Sequence, residues 1–139
     1  MTTSFFVLNS KNKPVIPDNF NGAVFLYRKS EDSKVAETQI ELFNRLIEKG
    51  LKKDVNTFLF IDINQVYERF NSLRKRAAIK QFVLFGVKES EIGINFDIPL
   101  HQIKEMDNVA FLKTVAPEVL EKDNSNKAAF WSQLQLILK

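Results

Sequence analysis

The sequence predicts an α/β domain with three layers, α/β/α, on a four-stranded and mainly parallel sheet. Two observations predict this fold class. The chain contains four short, continuous apolar runs, and longer stretches with helical periodicity separate them. Continuous apolar runs are typical of strands that are buried on both faces, as in a parallel sheet covered by helices. The predicted arrangement is Rossmann-like.

The four apolar runs are the predicted strands, and they cover residues 23–27, 57–63, 81–85 and 109–112. Each run has the length of an ordinary strand and is rich in β-branched and aromatic residues. Two parallel strands in sequence need a crossover connection, and the segments between the runs are long enough to supply one.

The first predicted helix covers residues 33–49, and Gly50 is a natural place for it to stop. Two apolar stripes run along it about 100° apart, from the 3.6-residue period. The first stripe contains Ala36, Ile40, Phe43 and Ile47, and the second contains Val35, Leu42 and Leu46. Such a wide apolar arc indicates either a well-covered core helix or a helix with a partner interface on one side.

The other helices are predicted from shorter patterns. Val66, Phe70, Leu73 and Ala77 form one stripe, with Asn64 as a candidate N-cap. The connection 88–108 is predicted to be a loop with a short helical turn after Pro99. Pro117 begins a short helix over 117–122, and the last helix is predicted from about residue 125 to 138.

The length of 139 residues suits a single domain. We expect that domain to cover residues 21–139. Residues 1–20, with Pro14 and Pro17 among polar residues, are predicted to form an N-terminal arm.

Composition restricts the possible chemistry. The chain has no Cys, which excludes disulfides, thiolate metal sites and a Cys nucleophile. The N-terminus lacks the basic and apolar regions of a signal peptide, and no apolar run approaches membrane-spanning length. We therefore expect a soluble, cytoplasmic protein without a membrane partner. The net charge of +3 permits an acidic partner without requiring one.

The carboxyl ends of the predicted strands are the expected place for a ligand in an open parallel sheet. The chain has only four Gly, at 22, 50, 86 and 93, and their spacing matches neither a dinucleotide fingerprint nor a phosphate loop. Lys29 and Ser30 precede a helix N-terminus and are a weak candidate for an anion site. We predict no cofactor and no metal.

Two further residues are candidates for catalysis, His101 and Asp62. His101 is the only histidine, with Asp97 and Glu105 four residues away on either side, and a structural His is the favoured interpretation. Asp62 lies at the end of an apolar strand and fits either a carboxylate of raised pKa or, preferably, the cap of the following helix. No catalytic constellation emerges, so we predict a protein that is not an enzyme.

Three basic residues share one line of the second predicted helix: Arg69, Arg76 and Lys80. Such a line is a possible nucleic-acid contact. The neighbouring aromatic residues have the pattern of a core, and a solvated helix face is the favoured interpretation.

The second half of the chain resembles a known family. The relevant segments are Phe82-Val-Leu-Phe-Gly86, residues 98–103 and 109–112, and residues 120–123 leading into Lys127-Ala-Ala-Phe-Trp-Ser-Gln-Leu134. Over residues 55–139 this pattern resembles the psi accessory subunit of the bacterial DNA polymerase III clamp-loader assembly. These are fold-making residues rather than the signature of an active site.

The resemblance implies a non-catalytic subunit that works in DNA replication through protein–protein interaction. Its arm would bind clamp-loader subunits, with Phe5, Phe6, Val7 and Leu8 as apolar anchors. Its body would bind a second accessory subunit that is linked to single-strand-binding protein. The alternatives are a Rossmann-like enzyme or nucleotide-binding protein that uses Asp62 and His101, and a nucleic-acid binder that uses the basic helix.

Overall fold

The computed structural model describes residues 12–138, and its centre is a five-stranded sheet. The strands are β1 (Ala23–Tyr27), β2 (Leu59–Asp62), β3 (Gln81–Phe85), β4 (Lys104–Met106) and β5 (Val109–Thr114). Their order across the sheet is β2-β1-β3-β5-β4. All neighbouring pairs are parallel except β4 and β5, which are antiparallel. The α/β class is confirmed.

Strand β4 corrects the prediction of four strands. Its three residues are polar or exposed, so no apolar run announces it in the sequence. Asp107 and Asn108 join β4 to β5, and their φ angles are 54° and 66°. Two successive positive φ angles form the hairpin turn whose twist matches that of the flanking strands. The predicted loop 88–108 therefore ends in an edge strand.

The helices are α1 (Ser33–Asn44), α2 (Phe70–Arg76), α3 (Pro117–Lys122) and α4 (Asn124–Ile137). Helix α1 continues without a break as a π-helix over Arg45–Gly50. The carboxylates of Asp32 and Asp123 cap the N-termini of α1 and α4 by accepting backbone N–H groups. Short 3-10 turns lie at Val55–Thr57 and Glu89–Ile92. In residues 12–138, no helix combines the length and apolar character that crossing a lipid bilayer requires.

Helix α2 is much shorter than the predicted one, and Asn64 does not cap it. The chain before it is held in another pairing, because the Tyr67 N–H donates to the Asn12 carbonyl and Val66 bridges Asn12 in parallel. After the helix, Ala77 is extended, with φ −141° and ψ 139°. The predicted apolar stripe is nevertheless buried or half-buried along its whole length.

The core on one face of the sheet is aromatic and is covered by α1, α3 and α4. It contains Phe25, Phe43, Phe85 and Phe130, all of which are almost fully buried. Most of the wide apolar arc of α1 belongs to this core. Val35, Ala36 and Ile40 are outside it, and Ile40 is the most exposed of them at 43%.

The core on the other face is covered by α2, by the connection after β3 and by residues 12–20. Pro14 is buried, and Ile16 and Phe20 pack against this core. The Arg76 guanidinium donates to the Pro14 carbonyl at 2.7 Å. Within the predicted arm of residues 1–20, the described part therefore lies on the body.

Candidate functional site

The strand order places a switch point between β1 and β3, where successive connections leave in opposite directions along the sheet. Ligands of open α/β sheets bind beside such a point, at the carboxyl ends of the strands. A crevice of about 310 Å³ is present there. Its walls come from the ends of β1 and β3 and from the starts of α1 and α3. The lining residues are Arg28, Lys29, Ser30, Glu31, Asn64, Phe85, Gly86, Ala116 and Glu118.

One buried amide, that of Gln39, bonds to three residues that line this crevice. The Gln39 Oε1 accepts from the Ser30 N–H at 3.0 Å, and its Nε2 donates to the Arg28 carbonyl at 3.1 Å and to Glu118 Oε1 at 3.0 Å. Its side chain is fully buried. Gln39 thus ties the loop after β1 to the first turn of α3. Sequence reasoning missed this residue, although a polar side chain between the apolar stripes of α1 was a usable signal.

We expect Gln39→Leu to lower the free energy of unfolding by about 1–3 kcal/mol, because it leaves the Ser30 N–H and the Arg28 carbonyl without their partner. Urea denaturation measures the loss. Glu37→Gln is a matched control on the same helix at an exposed position, and its effect should stay within about 0.5 kcal/mol. Equal stability of the two variants would contradict the role assigned to Gln39.

The opposite wall of the crevice contains Gly86, which lies against Ala116. Gly86 has φ +69°, and a Cβ there would lie 2.9 Å from the backbone N and Cα of Ala116. The loops after β3 and β5 therefore approach each other more closely than any other residue would allow. Gly86 and Ala116 both line the crevice, so this close contact forms part of its wall.

Asp62 organises loops at the same edge. Its Oδ1 accepts from the backbone N–H groups of Lys29 and Asn64, both at 3.1 Å. It thus caps the turn after β2 rather than a helix, since α2 begins only at Phe70. Burial raises the pKa of the Tyr27 phenol, and the charge of Asp62 raises it further.

His101 lies beside β5 and has a structural environment. Its ring Nε2 is 2.9 Å from the hydroxyl of the buried Thr114, and its backbone N–H donates to the Lys113 carbonyl. Burial lowers the pKa of His101, while the charge of Asp123 opposes this shift. Asp97 and Glu105 are not hydrogen-bonded to it. No group of three or more His, Asp or Glu side chains that could hold a metal ion occurs among residues 12–138.

An ion pair at this edge joins Glu89 to Lys113, with 2.9 Å between Oε1 and Nζ. Burial alone would raise the pKa of Glu89, but hydrogen bonds from the Ile98 N–H and from Lys113 lower it. The carboxylate is therefore held ionised by its structural partners. It lacks the raised pKa that a general acid or base near neutral pH requires.

The three predicted nucleic-acid contacts do not form one line. Arg69 precedes α2, Arg76 ends it, and Lys80 lies beyond it in extended chain. The Arg76 guanidinium is engaged by the Glu68 carboxylate, at 2.8 Å from Nε and 2.6 Å from Nη2. The aliphatic part of Lys80 lies against Gly22, and the guanidinium of Arg69 lies against Gly93. The interpretation as a nucleic-acid contact stays a prediction.

The predicted arm anchors Phe5, Phe6, Val7 and Leu8 lie outside the described residues. Residues 12–20, through which the arm joins the body, belong to the part of the chain that the structure describes. The pairing of Asn12 with Val66 and the bond from Arg76 to Pro14 place this junction beside β2 and α2.

A groove lies on the other face, between the π-helical end of α1 and the start of α4. We call it the α1–α4 groove; it has a volume of about 500 Å³. Its lining residues are Leu42, Arg45, Leu46, Lys49, Gly50, Asn124, Lys127, Ala128 and Trp131. A Cβ on Gly50 would overlap the Trp131 ring, so glycine is needed for this close contact. Leu42 and Leu46 of the second predicted stripe of α1 belong to the core and also line this groove, and the partner interface on this stripe stays a prediction.

The fold and these sites define the chain as an α/β domain with a mainly parallel sheet, whose switch-point crevice of about 310 Å³ is lined by its own loops. A separate apolar opening is the surface groove between two helices. No family model and no curated protein matches this chain.

Proposed function

We propose that this chain is a non-catalytic, protein-binding accessory subunit of the bacterial clamp-loader assembly and that it acts in the cytoplasm. The observation that supports the non-catalytic part is the bonding around the switch-point crevice, where the polar groups are used to hold the loops. Gln39 bonds to the loop after β1 and to Glu118 of α3, and Gly86 lies directly against Ala116. The assignment to the clamp loader rests on the resemblance of residues 55–139 to the psi subunit.

The electrostatics of the crevice support this proposal against a nucleotide-binding one. The N-terminus of α1 would be the natural phosphate site. Its first free N–H groups are already used, because Asp32 Oδ1 accepts from Lys34 at 2.9 Å and from Val35 at 3.2 Å. Glu31 and Glu118 line the crevice and add negative charge. A phosphate group would have to displace a carboxylate and face two more.

Two of the cations at this edge are engaged. Arg28 forms an ion pair with Glu91, and Lys113 forms one with Glu89. Glu89 and Glu91 lie in the 3-10 turn after β3, whereas Arg28 follows β1 and Lys113 belongs to β5. The two pairs therefore tie this turn to the neighbouring parallel strands on either side.

The arm is proposed as the clamp-loader contact because of where it begins. Residues before Asn12 start from a fixed junction at the β2 edge, and they contain the consecutive apolar side chains Phe5, Phe6, Val7 and Leu8. A short segment of this kind can insert apolar anchors into a partner's groove. The fixed junction defines the direction from which the partner is reached.

The test is affinity capture from a lysate of the source organism with the full-length chain and two variants. Phe5→Asp combined with Leu8→Asp should lose the clamp-loader subunits, because charges replace apolar anchors. Thr2→Asp combined with Ser4→Asp adds the same charge to the same segment and should retain them. Mass spectrometry identifies the captured proteins.

Two outcomes would contradict this proposal. If the unaltered chain captures no replication protein, the assignment to the clamp loader is wrong. If the Phe5/Leu8 variant captures the clamp loader as well as the unaltered chain does, the arm is not the contact. Unchanged thermal unfolding of the variants is the control for an intact body.

A further inference from the structure

We propose that the α1–α4 groove binds a short acidic peptide segment of a partner protein, which inserts one bulky apolar side chain. This goes beyond the arm contact, because the groove lies on the face of the sheet covered by α1 and α4, whereas the arm joins the body beside β2 and α2. Three features of the groove point to this ligand: the apolar floor, the basic rim and the unusual helix that forms one wall.

The floor suits an apolar side chain. Leu42 and Leu46 come from α1 and its π-helical extension, and Ala128 and Trp131 come from α4. No carboxylate is among the lining residues. The volume of about 500 Å³ falls within the range of about 300–1,000 Å³ that is usual for small-ligand pockets.

The rim carries three cations: Arg45, Lys49 and Lys127. Glu121 partly neutralises two of them, at 2.5 Å from Arg45 and 3.7 Å from Lys127. Lys49 is exposed and forms no ion pair with any residue of the described part of the chain. Three cations against one carboxylate leave an excess positive charge around an apolar floor. Acidic residues on either side of an inserted apolar side chain complement this arrangement.

One wall of the groove has a rare backbone conformation. Residues 45–50 form a π-helix, in which the Leu51 N–H donates to the Leu46 carbonyl five residues earlier. Single π-helical turns are uncommon and occur frequently at functional sites. Arg45, Leu46, Lys49 and Gly50 all belong to this segment and all line the groove. The π-helical turn thus supplies these four lining residues of the groove.

A peptide fits the groove better than single-stranded nucleic acid does. Nucleic-acid stacking sites offer aromatic faces to successive bases. Here Trp131 is the one aromatic lining residue, and its ring lies against the backbone of Gly50. The rest of the floor is aliphatic, which favours an apolar side chain over a stacked base.

Trp131 makes the test direct, because it is the only Trp of the chain and its emission reports the groove alone. The full-length protein is titrated with the synthetic peptide acetyl-EEELFEEE-amide. The controls are the peptide with Lys for every Glu, the peptide with Ala for Leu and Phe, and a dT12 oligonucleotide. We expect a saturable change of emission with the acidic apolar peptide and none with the three controls.

Two variants of the protein locate the binding site. Lys49→Glu should weaken the peptide by about tenfold or more, since like charges would then face each other at the rim. Ala128→Glu places a carboxylate at the floor, at an exposed position where the fold tolerates it, and should abolish the change. Lys34→Glu is the matched control, because it reverses an exposed charge on the same helix outside the groove.

The proposal would be overturned by an equal response to the basic peptide, by a response to dT12 instead, by no response to the acidic peptide, or by unchanged affinity in both groove variants. It rests on the proposed function only in treating the chain as a binding protein. The titration contains no clamp-loader component, so its failure leaves the arm experiment untouched. Loss of clamp-loader capture would equally leave the peptide result standing.

Discussion

Arg76→Ala is expected to lower the free energy of unfolding by about 3 kcal/mol at pH 7, the low end of the cost of removing one partner of a buried ion pair. The Glu68 side chain is only 2% exposed, and Arg76 contacts it through two nitrogens. Without the guanidinium, Glu68 would keep only the hydroxyl of Ser72 as a hydrogen-bond donor. The variant also loses the bond from Arg76 to Pro14, which fastens the N-terminal segment.

The pH dependence of the loss has a definite sign. In the native protein the hydrogen bond from Arg76 lowers the pKa of Glu68 and outweighs the burial that would raise it. Its stabilisation is therefore complete above the unfolded pKa of about 4.3 and is lost as the pH falls through the folded value. In Arg76→Ala, the burial of Glu68 is opposed only by the Ser72 hydroxyl and the charge of Lys13, so we expect the folded pKa of Glu68 to lie above that of the native protein. The difference between the two proteins should therefore shrink as the pH falls from 7 towards 5.

Urea denaturation at pH 7 and pH 5 measures both effects. Arg74→Ala is the matched control, because its ion pair with Asp107 is largely exposed and should contribute less than about 1 kcal/mol. Glu68→Gln in the Arg76→Ala background should recover part of the loss, since a neutral amide replaces the buried charge. A loss of the same size for Arg76→Ala and Arg74→Ala at both pH values would contradict the role of this pair.

Phe25→Ala is expected to have the other large effect, a loss of about 4 kcal/mol in the free energy of unfolding. Phe25 is fully buried in the centre of the sheet. Its ring lies 5.1 Å from that of Phe85, 5.4 Å from Phe58, 5.7 Å from Phe60 and 5.8 Å from Phe43, measured between centroids. Truncation removes buried area, the contacts between rings and the packing of both neighbouring strands.

Because Phe25→Ala could unfold the chain altogether, Phe25→Leu provides a graded measurement. It retains an apolar side chain, and we expect a loss of about 1–2 kcal/mol from the smaller volume. Leu136→Ala is the control on α4, where 54% of the residue is exposed, and its effect should be about 0.5 kcal/mol or less. If Phe25→Leu were no less stable than Leu136→Ala, the aromatic cluster would not be a main source of stability.

The four parallel strands could be predicted because each is buried on both faces and therefore consists of a continuous apolar run. The first and last helices were predictable for a similar reason, since their apolar residues recur with the helical period. Strand β4 gave no such signal, because an exposed edge strand needs no apolar residue. Helix α2 was overestimated because the burial pattern of Val66 and Ala77 does not distinguish a helix from extended chain that lies on the same core.

The candidate sites also divide into those that the sequence alone could decide and those that depend on the fold. Composition and motif spacing alone excluded a thiolate site, a dinucleotide fingerprint and a phosphate loop, because each of these needs particular residues at particular spacings. The arrangement of loops at the crevice depends on Gln39 meeting Glu118, which is 79 residues away in the chain. The α1–α4 groove likewise depends on Gly50 meeting Trp131. Local periodicity determined the strands and the main helices, whereas contacts between distant residues, which leave no local pattern, were decided by the tertiary structure.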